Sequence, residues 1–376
     1  VSSHIRHRIA AASCLLAAAS TLTACGGSDE DIGPMMGNAT AAPPSAPSTS
    51  PAGKVVDLDY EVTNAVQIDD RILARAGDKV ISGTPTKPAV NTTDIDPACG
   101  DLAPAGGVAV LPCPDGIHVL ADDGSTAALV GRGTAYSSAV GLDDGRILGH
   151  RADSERLDVY GPGGELDTDF KASRVGSQLV PVPGDKDLVL EINSPETSIH
   201  ELEIAEDRLG SSLRVGLGVA EAAVGDDGTI AVTDATGSQL MIYTATDVIR
   251  LHQSFPVPQS PWAVVVDNQR NLVWVSSTAE GIITGWDISS GQGVKVAELE
   301  AVTDPRAMVL SDGGLVVYSA AGDGVQRISA TELNEAIAAM ADTADQEREL
   351  LAPGPAKDRL PTGATETTTP APLDEN

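Results

Sequence analysis

Within residues 54–329 the chain repeats one pattern: a short apolar run, a turn of Gly, Asp or Asn, and a second apolar run. It recurs as VQIDDRILARA at 66, DLAPAGGVAVL at 101, AVGLDDGRILG at 139, LVPVPGDKDLVLEI at 179, AAVGDDGTIAVTD at 222, WAVVVDNQRNLVWVSS at 262 and AMVLSDGGLVVYSA at 307. The turns centre near 70, 106, 145, 185, 228, 270 and 313, so the spacing stays between 36 and 43 residues. Alternating apolar positions around such turns predict antiparallel hairpins. A third strand follows in each unit, as in SQLMIYT and GIITGWD. A period of roughly 40 residues with three or four strands per unit predicts an all-β fold, a seven-bladed β-propeller, with six or eight blades as the alternative counts. The strand KVVDLDYEV at 54 belongs to no unit, whereas the last unit ends after its third strand. It is expected to complete that blade and close the ring, removing the open edges.

Outside the repeats the pattern changes. Residues 1–24 combine a basic start (Arg6, Arg8) with an apolar run from Ile9 to Leu22, too short to span a bilayer and suited to a secretory signal peptide. Leu22, Thr23, Ala24 and Cys25 resemble a bacterial lipobox, which implies that Cys25 is lipidated and becomes the first residue of the mature chain. The rest of residues 25–53 is rich in Gly, Pro, Ser and Thr, the composition of a flexible linker. Beyond the propeller at 54–329, residues 330–376 are expected to hold one short helix, Leu333 to Ala341, and then a tail without order.

Composition adds three constraints. A net charge of −30 repels nucleic acid and anionic headgroups, which sets aside nucleic-acid partners. With Cys14 removed by cleavage and Cys25 lipidated, Cys99 and Cys113 are left fourteen positions apart, and outside the cytoplasm they are expected to form a disulfide. Aromatic residues make up only 3% of the chain, and its three tryptophans, 262, 274 and 286, are too few for a quinoprotein-type propeller.

Two sets of residues offer chemistry. The loops after the second strands carry Asp153, Glu196, Asp234, Glu280 and Asp323, weak candidates for an acidic rim around a hard cation. The loops leading into the inner strands carry Trp262 and Arg306, candidates for capture of a ligand or partner. The histidines at 118, 150, 200 and 252 fall on different strands of their units and are not expected to converge. No HExxH, GxSxG or P-loop occurs. No catalytic residues, cofactor or metal are assigned, and the chain is expected to be a monomer.

NLVWVSSTAEGIITGWDISSGQGVKVAEL resembles the YVTN propeller repeat, and GTIAVTDATGSQLMIYT resembles the NHL repeat. Residues 222–328, with the lipobox and Pro-rich linker, are similar to the actinobacterial LppL-type prolipoproteins. That resemblance implies a surface-anchored propeller of undetermined activity. Anchor, linker and closed ring without a catalytic constellation lead instead to the expectation of a non-catalytic binding or assembly module, lipid-anchored on the outer face of the cytoplasmic membrane, with an envelope or membrane protein as partner. The alternative is a metal-dependent hydrolase of the lactonase-like propeller type.

Overall fold

The computed structural model describes residues 37–184 and 187–351. The expected signal peptide and Cys25 lie outside them, as do the first part of the linker and the end of the tail. Seven four-stranded antiparallel sheets form the blades of a β-propeller. Blades 1 to 6 occupy residues 64–94, 103–130, 136–171, 178–214, 219–256 and 261–300, each with its four strands, A to D, in chain order. The seven predicted turns are the A–B hairpins, where Asp69, Asn271 and Asp312 adopt positive φ beside glycines such as Gly145 and Gly228.

Blade 7 takes strands A to C from Pro305–Ser311, Gly314–Ser319 and Val325–Ile328, and its outermost strand is Lys54–Val56. Lys54 pairs with Arg327 and Val56 with Val325, closing the ring as the unpaired strand suggested. Gln326, fully buried, locks this closure: its Nε2 donates to the carbonyls of Ala52 and Glu300, and its Oε1 accepts from the Val302 amide.

The core lies between blades and is built mainly from Val, Ile, Leu and Ala, as so few aromatics require. Trp274 is a fully buried exception, its indole donating to Asp267, which Arg270 also engages. The disulfide Cys99–Cys113 forms and ties the segment before blade 2 to that blade's second strand.

Two elements differ from expectation. The segment between Gly37 and Gly53 has no regular structure but runs over the blades: Gly37 donates to the Pro195 carbonyl, Ala42 to the Ser260 hydroxyl, and Ala52 to the Glu300 carbonyl. At the other end two helices follow the ring, α1 (Ala330–Ala339) and α2 (Ala341–Leu351). Ser329 and Glu332 form a capping box that starts α1 three residues earlier than predicted. The polar sequence of α2 hides its docking, which rests on buried Ala344 and on an ion pair from Arg348 to Asp287 at 2.8 Å.

Candidate functional site

The innermost strands converge on a cavity of about 600 Å³ at one mouth of the central channel. Its wall includes seven polar or aromatic residues, one from each of blades 1 and 3 to 7 and one from the segment just before blade 2: Asn64, Asp101, Ser138, Gln178, Glu221, Trp262 and Arg306. Two positions further along the chain lie Val66, Ala103, Val180, Val264 and Met308, which line the same cavity and give it an apolar throat beside the polar ring. Asn38 and Ala39, from the segment laid over the blades, complete the wall.

Irregularities in strand A aim several of these side chains. The A–B register shifts between Tyr136 and Ser138, between Val219 and Ala222, between Pro261 and Val264, and between Pro305 and Ala307. Bulges re-aim side chains at the cost of ladder hydrogen bonds. Buried hydroxyls on the neighbouring B strands replace those bonds. The Thr233 hydroxyl accepts from the Glu221 amide at 3.1 Å and donates to the Trp262 carbonyl at 2.8 Å. One blade on, the Ser276 hydroxyl accepts from the Ala263 amide and donates to the Pro305 carbonyl. Gln178 serves blade 5 by exchanging two hydrogen bonds with the Ala222 backbone.

The ring is electrostatically uneven. Arg306 stacks over Trp262, 4.5 Å from the ring centroid, and donates through Nε to Asp304 at 2.6 Å. Such stacking is worth about 0.5–1 kcal/mol in a partly exposed site. Among the described residues the Glu221 carboxyl makes no hydrogen bond; burial pushes its pKa well above 4.5, Asp101 pushes it further, and Arg306 partly offsets the rise. Burial among the channel walls also raises Asp101, with Arg75 at 3.7 Å opposing. Asp101 is the more open of the two, with 60% of its side-chain surface exposed, so the effect on it is the weaker. Ser138 is 4% exposed, and its hydroxyl has no hydrogen-bond partner.

Trp262 and Arg306, the candidates from sequence, thus meet at the mouth. The five rim acids do not come together. Asp234 is fully buried and accepts from the amides of Leu217, Gly218 and Gly237. Glu196 pairs with Asn193, and Glu280 accepts from the Gln259 amide, while Asp153 and Asp323 are exposed. Among the described residues, the one set of three His, Cys, Asp or Glu ligand atoms within 4.8 Å is Cys113, Asp115 and His118, and Cys113 is spent in the disulfide.

The histidines occupy strands C, B, C and D of their blades, and among the described residues no two of them join one set of three ligand atoms, although His150 and His200 lie on either side of one glutamate. His150 Nε2 lies 3.4 Å from Glu191 Oε1 across the boundary of blades 3 and 4, and Glu191 is the direct cross-strand partner of His200. That shared neighbour was not foreseen, because the two strands belong to adjacent blades. Asp101, Glu221 and Ser138 were also missed; their signal is a constant offset of about three or four residues before the end of strand A.

The fold defines the class, a seven-bladed β-propeller with a polar, partly acidic channel mouth. Among solved structures, a chain of Kuenenia stuttgartiensis hydrazine synthase is similar with a TM-score of 0.60 at 12% identity, covering 73% of this chain and 97% of that one. At that identity the likeness is one of fold alone. No protein-family model matches the chain, and no curated protein matches it.

Proposed function

We propose that this propeller is a non-catalytic binding module, lipid-anchored through Cys25 at the outer face of the cytoplasmic membrane, that captures its ligand or an envelope protein partner at the channel mouth. One observation carries the reading: six inner strands and the segment leading into blade 2 each place a polar or aromatic residue around a single cavity, and in four blades a bulge in the inner strand accompanies that residue. A rigid scaffold that presents a mixed polar and aromatic surface suits recognition. The lipobox of residues 22–25 and the likeness of residues 222–328 to LppL-type prolipoproteins support the address.

The test has two parts. Trp262→Ala with Arg306→Ala should reduce partner or ligand capture at least tenfold without lowering the melting temperature by more than a few degrees. Unchanged capture would remove the mouth from the function. Cys25→Ser should move the protein from the membrane fraction to the soluble fraction; membrane retention by this variant would refute the anchor.

A further inference from the structure

Resting on that reading of the mouth, we propose that the ring takes an alkylammonium group, its charged head held by Glu221, Asp101 and Ser138 and its carbon chain in the apolar throat beside them. Three residues of the cavity wall, Asp101 ahead of blade 2, Ser138 on blade 3 and Glu221 on blade 5, are left with unused hydrogen-bonding capacity. The Glu221 carboxyl has no hydrogen bond among the described residues. Among the described residues Asp101 meets only the Arg75 guanidinium, at 3.7 Å, while Arg75 itself donates to the carbonyls of Pro97 and Cys99. The Ser138 hydroxyl is buried, unpartnered and part of the cavity wall.

An ammonium has three donors and no acceptor, which matches two carboxylates and a hydroxyl. The ring's own cation does not fill this role, because Arg306 is held by Asp304 and Trp262. A metal ion fits less well. It needs several oxygen ligands at about 2.0–2.6 Å, and the channel brings no three His, Cys, Asp or Glu ligand atoms within 4.8 Å of one another among the described residues. Beside the ring, Val66, Val180, Val264 and Met308 offer a sleeve for methylenes. The net charge of −30 adds a long-range attraction for any cation. The same chemistry is carried by a free alkylamine and by a lysine side chain of a partner protein.

The probes are n-butylammonium chloride, Nα-acetyl-lysine amide, sodium butyrate and calcium chloride, titrated into the full chain. Tryptophan fluorescence reads occupancy, since Trp274 and Trp286 are buried and Trp262 stands in the ring. Both alkylammonium probes are expected to bind saturably, and butyrate and calcium are not. Glu221→Gln and Ser138→Ala should each weaken butylammonium at least fivefold, while Glu280→Gln, outside the cavity, leaves it unchanged. A lysine amide that binds tenfold more tightly than butylammonium assigns the source to a protein partner; equal binding assigns it to a small amine. Butyrate or calcium binding in place of butylammonium would overturn the ammonium assignment while leaving the mouth a ligand site. No binding by any probe would also overturn it, and the Trp262 and Arg306 capture test would then decide the wider reading separately.

Discussion

Replacing Asp234 by Ala separates a structural acid from a functional one. Its carboxylate accepts three backbone amides, from Leu217 at 3.0 Å, Gly218 at 2.9 Å and Gly237 at 2.8 Å, and the side chain is fully buried. Gly216 and Gly237 wrap it so closely that a Cβ on either would lie 1.8 and 2.0 Å from the carboxylate. Alanine strands all three donors, each at a cost of roughly 1–3 kcal/mol. Water can reach the two partly buried ones, so the expected loss is about 3–5 kcal/mol. Asparagine retains one acceptor oxygen and should lose about 1–2 kcal/mol. Equilibrium denaturation in urea, with and without calcium, measures both. A loss below about 1 kcal/mol for the alanine variant, or wild-type stability that rises with calcium through Asp234, would refute the capping role.

Removing the Cys99–Cys113 disulfide by a double serine substitution should cost about 3 kcal/mol in denaturant melts for a loop of this size. It should also weaken capture at the mouth, because Asp101 follows Cys99 by two residues. Gln326→Ala breaks three hydrogen bonds at the ring closure and should lower stability by about 2–4 kcal/mol, with faster proteolysis within residues 37–56. The raised pKa of Glu221 sets a pH dependence. The folded state holds its proton more tightly than the unfolded chain, so this group's contribution is full below about 4.5 and is lost as pH rises through the folded value. Glu221→Gln should therefore melt higher than wild type at pH 7 and converge with it below pH 4.5; the opposite order at pH 7 would contradict the burial argument.

The ring was legible because the hairpin turns repeat a backbone requirement. Asp69, Asn271 and Asp312 stand where positive φ is needed, and they keep the blade period visible in a chain with little other repetition. The closing strand followed from counting, since the last unit lacked a fourth strand. The channel ring was not legible in the same way. Its seven residues line one cavity but share no residue type, and the register shifts in four blades move the inward position out of the simple alternation. Asp234 was misread for a related reason. It ends strand B as Asn193, Ser277 and Ser319 do, and all four side chains accept an amide of the following turn. A carboxylate that shares its position with an amide and two hydroxyls is a cap. The docking of residues 37–53 was hidden because it uses backbone amides, which composition does not register.

The central claim, that the channel mouth is the capturing surface, is tested most directly by photo-crosslinking in intact cells. A photoreactive residue at Asn64, in the ring, is compared with one at Asp227, in the A–B hairpin of blade 5 on the opposite face. The account predicts a discrete adduct from position 64, suppressed by Glu221→Gln, and none from position 227. An adduct from 227 alone, or adducts from both that ignore Glu221→Gln, would contradict it.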